Sequence, residues 1–177
     1  MRKTFLKIVT LLAFGFSTLL SGNTFAHENK QYTIGFAAAN LQADFFNFIK
    51  ESVEAETSRL GHKSIVVDSG GDDAKQVSQI EDLLVKQIDA LVLIISGNTD
   101  GNAQIRKAKE AGIQVIPVDR NTTNPPGDSF IASDSEVAAY EMGMWVADKT
   151  GGKGVVGVIQ GQLGSTPEIA RDTGFEN

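Results

Sequence analysis

Apolar and polar positions along this chain change in blocks. Residues 32–37 (YTIGFA) are a short apolar run after polar residues, which predicts a buried first strand. Over residues 44–60, Phe45, Phe48, Ile49, Val53 and Leu60 recur at roughly helical spacing, with Asp44 suited to the N-cap and Gly61 to the C′ position. Residues 63–69 (KSIVVDS) predict a second strand, ended by the turn residues Gly70, Gly71 and Asp72. Across 72–88, Val77, Ile80, Leu83, Leu84 and Ile88 share one helical face, and acids come early, where the helix dipole favours them. Residues 89–96 (DALVLIIS) are nearly all apolar, as a parallel strand buried on both faces should be. A helix over 100–111 stops at Gly112, 113–119 make a fourth strand, and 128–133 a short fifth after the Pro125-Pro126-Gly127 loop.

Strand and helix thus alternate with short connections. The pattern implies right-handed crossovers and an α/β fold with a doubly wound parallel sheet. After Ser133 it restarts, with a helix over 136–149, a strand over 154–159 and another helix from near Pro167. Trp145 lies on an apolar face of the first of these and is expected in the core. One strand with one and a half helices cannot bury a core of its own. The chain therefore reads as the front part of a longer protein: a leader (1–26), an N-terminal α/β lobe (31–132), and a crossing with only the start of a second similar lobe (133–177).

The leader is a different material. Arg2, Lys3 and Lys7 precede the apolar run 8–20, which is short for a membrane span of about 20 apolar residues. Thr24 and Ala26 supply small residues before a cleavage point between Ala26 and His27, the plan of an export signal; the alternative is an uncleaved anchor. All 22 acids lie beyond the leader and three of the 16 basic residues lie within it, so the remainder is more acidic than the whole chain at −6. Such a protein has no electrostatic footprint for nucleic acid. The absence of cysteine removes thiolate chemistry and Cys-based zinc, and fits an oxidising compartment. Two histidines, His27 and His62, are too few for a His-rich metal site and argue against a Ser-His-Asp triad; His62, in a turn, is expected to be solvated.

Gly152, Gly154 and Gly157 match G-x-G-x-x-G, the dinucleotide fingerprint. That fingerprint needs a strand before it and a helix after it, so that free amides at the helix start can hold a pyrophosphate. Here the order is reversed. The match is accidental, and no cofactor is expected.

Ligands of open α/β sheets sit beyond the carboxyl ends of the strands. Four stretches qualify: 38–46, 96–101, 119–123 and 160–171. Asp119 and Arg120 pair a hydroxyl-accepting carboxylate with a multiply donating guanidinium, which suits a neutral polyhydroxylated ligand; the alternative is a surface ion pair worth under about 1 kcal/mol. Of the consecutive Phe45 and Phe46 only one can point fully into the core, leaving the other free to stack on the C–H face of a sugar, unless both pack internally. Arg171, taken alone, is an exposed helix arginine.

The ordered blocks IGFAAANLQADFFNFIKESVEAE, DAKQVSQIEDLLVKQIDALVLI, AKEAGIQVIPVDR, FIASDSEVAAYEMGMWVADKTGGKG and ARDTGF resemble the periplasmic binding proteins of the ribose and galactose type, over essentially all of 31–177. The resemblance implies a lobe of the type I periplasmic binding fold, a periplasmic address, no enzymatic activity, and a monomeric solute receptor that hands a monosaccharide or polyol to the permease of an ABC transporter. A periplasmic sugar sensor serving a chemotaxis receptor or histidine kinase is the alternative. By the same resemblance Phe45 and Phe46 stack on the sugar, Asp119 and Arg120 grip its hydroxyls, Arg171 reaches in from the second lobe, and Asp134 lies at the hinge crossing. Ahead of the aromatic pair this chain departs from the family: Ala43 and Asp44 stand where ribose receptors have asparagine and galactose receptors aspartate. That ligand hydrogen bond is missing or re-routed to Asp44 or Asn40.

Overall fold

The computed structural model describes residues 30–97 and 103–177, and residues 31–177 form one compact unit. The predicted leader and the first residues of the predicted 100–111 helix lie outside the described residues. Four parallel strands, β1 (Thr33–Ala38), β2 (Lys63–Asp68), β3 (Ala90–Leu93) and β4 (Gln114–Pro117), make a sheet of order β2-β1-β3-β4. The connections are α1 (Asp44–Arg59), α2 (Asp73–Val85) and α3 (Ala103–Glu110). The order reverses at β1 and β3, so the crevice beyond their carboxyl ends is the ligand position that such sheets provide.

Alternation along the strands feeds two apolar layers. Ala37, Leu91 and Leu93 face Ile80 and Leu83 of α2 and Ile105 of α3 on one side. Phe36, Ala38 and Ile94 face Phe46, Ile49 and Val53 of α1 on the other. Buried on both faces, the sheet is the most secure part of the molecule.

The helix bounds differ from expectation in instructive ways. Ala43, not Asp44, is the N-cap of α1, with no side-chain cap, and Asp44 serves as the acid of the first turn. The buried stripe of α1 runs through Phe46, Ile49, Val53 and Thr57, while Phe48 and Leu60 are exposed. A 3.6-residue period fits the series 46, 49, 53, 57 better than one started at Phe45. In α2 the carboxylate of Asp72 accepts from the Lys75 N–H at 2.9 Å, a true N-cap. That helix ends three residues earlier than expected, because Gln87 takes the left-handed conformation (φ 57°) and sends Ile88 back into the core.

Beyond β4 the predicted fifth strand shrinks to one bridge, Val118 to Ile131. α4 (Ser135–Thr150) starts at Asp134, whose carboxylate accepts from the Val137 N–H at 3.1 Å, and ends at Gly151 in the left-handed conformation. α5 is Thr166–Glu176. The strand expected over 154–159 is not formed: these residues pair with no strand among those described, and Val155 and Ile159 are fully exposed. A strand exists by its ladder, and apolar side chains alone do not supply one. Trp145, expected in the core, is 58% exposed, its ring instead beneath the Lys149 ammonium at 5.9 Å. α4 packs on α5, and Trp145 is left largely exposed on α4. His62 is half-buried rather than solvated, edge-on to Tyr32 with its Nδ1 accepting from the Tyr32 N–H at 3.4 Å.

Candidate functional site

The carboxyl ends of β1 and β3 are tied together by one buried glutamine. Gln76 of α2 donates to the carbonyls of Ala38 (3.2 Å) and Ile94 (2.9 Å), and its Oε1 accepts from both the N–H and the hydroxyl of Ser96, each at 3.0 Å. Ser69 adds donations to the Ala38 and Ala39 carbonyls. At this switch point the sheet stops hydrogen bonding to itself, and buried carbonyls need partners. Neither Gln76 nor Ser69 stood out in the sequence, since glutamine and serine in polar stretches carry no pattern that separates a clip from a solvated residue.

On this platform the chain leaves β4 through a three-residue turn. The Arg120 N–H donates back to the Val118 carbonyl at 2.7 Å, with Asp119 at the centre at φ 65°. A non-glycine residue in that region is strained, and such strain persists where the surroundings over-determine it, commonly at ligand sites. Asp119 and Arg120 form an ion pair, Nε to Oδ2 at 3.6 Å, with side chains only 16% and 14% exposed. It is therefore not the solvated surface pair that the sequence left open. Burial raises the Asp119 carboxyl above its ordinary pKa, opposed by the charges of Arg120 and then Arg171. Burial likewise lowers Arg120, opposed by Asp119. Both charges sit where water is scarce, and Arg171 acts on Asp119 from α5.

The aromatic pair divides as one-in, one-out. Phe46 is 7% exposed and carries the Arg120 guanidinium over its ring, Cζ to centroid 5.3 Å. Phe45 is 56% exposed, tilted against Phe46 with centroids 5.7 Å apart. Phe45, Phe46, Arg120 and Asp119 thus form a continuous chain of contacts at the strand ends. Just ahead of them Asn40 is already engaged, its Oδ1 accepting from the Gln42 N–H at 2.9 Å.

The remaining candidates lie across the crossing. Asp134 caps α4 and lines, with Asp119, Phe130 and Thr166, a cleft of about 220 Å³. Arg171 is exposed and borders a larger groove of about 540 Å³, mainly apolar, between α4, α5 and residues 156–161. That larger groove lacks Phe45, Phe46, Asp119 and Arg120, and its mainly apolar lining carries a polar part in Ser133, Ser135, Gln160, Glu168, Arg171 and Asp172. Of the stretch 96–101, Ser96 and Gly97 are placed at the β3 end and 98–101 lie outside the described residues. Gly152, Gly154 and Gly157 follow α4 and precede extended chain, with the next helix starting only at Thr166, so they cradle no helix N-terminus. No group of three or more acidic or histidine residues that could hold a metal occurs among the described residues.

The chain belongs to the periplasmic binding protein domain family, whose model matches residues 34–177. It is 32% identical over 173 residues to the ribose import binding protein of Escherichia coli (96% of this chain, 56% of that protein) and 30% identical over 150 residues to that of Bacillus subtilis (85% and 49%). Among solved structures it resembles the periplasmic binding protein component of the arabinose ABC transporter from Shewanella, bound to L-arabinofuranose: TM-score 0.72, 28% identity, 81% of this chain and 49% of that one. The chain spans about half the length of the curated relatives it matches.

Proposed function

We propose that this protein is a periplasmic receptor that binds a monosaccharide or related polyol at the strand-end crevice and delivers it to the permease of an ABC importer. The observation that carries the reading is the contact chain itself: an exposed Phe45 ring beside a sunken Asp119–Arg120 pair. A sugar offers an apolar C–H face and a rim of hydroxyls, and this edge offers a ring for the one and charge-assisted hydrogen bonds for the other. Asp119 accepts hydroxyl protons, Arg120 donates to hydroxyl oxygens, and Arg171 approaches from α5. The sugar-binding names of the relatives support the same reading.

In this reading residues 31–132 are the first lobe, and 133–177 the crossing, with Asp134 at its start, and the opening of the second lobe. Closure follows from differential contact: a sugar touching both segments favours the arrangement that brings them together. Saturation-transfer NMR with pentoses, hexoses and inositols at millimolar concentration tests it. Transfer to the ring C–H protons of a subset of sugars is the expected result, lost in Phe45→Ala; no transfer across the whole panel contradicts the reading.

A further inference from the structure

Gln162, in the loop before α5, is bonded at both ends of its carboxamide. Its Oε1 accepts from Arg120 Nη1 at 2.7 Å, and its Nε2 donates to the Ser96 carbonyl at 2.8 Å. The second proton of Nη1 goes to the Ile95 carbonyl at 3.2 Å. An amino group of arginine carries two protons, so Nη1 is saturated by the protein. Nε is buried and without a hydrogen-bond partner, and Nη2 donates to no group among the described residues. Nε faces the Asp119 carboxylate at 3.6 Å, so Nη2 is the end of the guanidinium that remains for a ligand oxygen. Nη1 is thus tied down, Nε is turned to Asp119, and Nη2 is left over.

The far end of the tie is fixed as well. Ser96 is held through its N–H and hydroxyl by Gln76, which is fully buried and anchored on Ala38 and Ile94. A rigid line of hydrogen bonds therefore runs from the sheet core through Gln76, Ser96 and Gln162 to Nη1. A side chain from the 133–177 segment completes the aim of a side chain from the sheet. Without it, Nη1 keeps a single long bond and the guanidinium is free to turn about its last torsion.

We propose that Gln162 is a positioning residue for Arg120, holding its Nη2 end toward the ligand while Nε stays on Asp119; the ligand part of this rests on the sugar-receptor reading above. Gln162 sits in an exposed loop, so Gln162→Leu and Gln162→Ala leave the sheet intact, which unchanged thermal unfolding checks. The first readout needs no sugar: the Arg120 η protons in NMR. In the native protein the two bonds on Nη1 slow its rotation and give resolved η signals; in either variant these collapse to an averaged signal. The second readout is the affinity for D-ribose, D-xylose and L-arabinose, expected to be roughly ten-fold weaker in both variants, the value of about one hydrogen bond to a charged group.

Resolved η signals that survive in the variants overturn the proposal. So does sugar affinity that is unchanged, or that tightens, which would make Gln162 a bystander or a competitor for Arg120. If the native protein binds no sugar, the receptor reading fails by itself, and the η signals still decide whether Gln162 positions Arg120.

Discussion

The sheet region and the helix pair that follows it are held by different means. In residues 31–132, Phe36, Ile80, Leu83, Leu91 and Leu93 have no exposed surface, and each side chain so buried contributes about 1.5–3 kcal/mol. In residues 133–177, α4 has no buried residue, and Tyr140, Met142, Met144 and Trp145 stand exposed along it. The order of the helix pair comes instead from backbone devices: the Asp134 cap, the left-handed Gly151, a proline in the first turn of α5, and one close seam. At that seam a Cβ on Gly174 would lie 2.1 Å from the Glu136 carbonyl, so only glycine allows the helices to approach. The candidate site sits where the two regimes meet: its platform, ring and charge pair are rigid, and its second-segment partners ride on the softer element.

That contrast can be broken most sharply in the core. Leu83→Ala should cost about 2–5 kcal/mol in urea unfolding, whereas Trp145→Ala should cost under about 0.5 kcal/mol; similar costs would dissolve the distinction. Gly174→Val should destabilise by about 1–3 kcal/mol through overpacking, and selectively. Hydrogen exchange should speed up through α4 and α5 while the amides of β1 and β3 keep their protection. Gln76→Leu leaves the Ser96 N–H and the Ile94 carbonyl without their partner and should cost about 1–3 kcal/mol, read in the same unfolding assay with exchange rising at the β3 end.

The smallest effect is the pH response of Asp119, whose folded pKa lies above its unfolded one because of burial. Its contribution to stability is present in full below the unfolded pKa and is lost as pH rises through the folded one. Sugar binding runs the other way, because the carboxylate is the acceptor; affinity should decline on acidification already above the ordinary aspartate range. Asp119→Asn should flatten both dependences, measured by urea titration and by affinity across pH.

The sheet was legible because its signal is period and punctuation: apolar runs for β1 to β4, with turn glycines and Asp72 between them. For Phe45 and Phe46 helical geometry left two arrangements open, one-in, one-out or both packed internally, and the structure takes the first, with Phe46 as the buried ring. The expected strand over 154–159 failed because a strand depends on a neighbour that its own residues cannot announce. Trp145 failed for the same reason, since an apolar helix face says that something should cover it but not that anything does. The depth of the Asp119–Arg120 pair, and the tie through Gln76, Ser96 and Gln162, were invisible because residues far apart in the chain make them. No local spacing encodes a contact between positions 76 and 96, or between 120 and 162.

The most direct test of the sugar site is residue-resolved NMR of the protein titrated with D-ribose, D-xylose and L-arabinose. The account predicts that at least one sugar shifts the Phe45 ring, the Asp119 carboxylate and the Arg120 guanidinium together, with one dissociation constant. Shifts confined to the apolar groove between α4 and α5, or no shifts at the strand ends with any of the three, would contradict it.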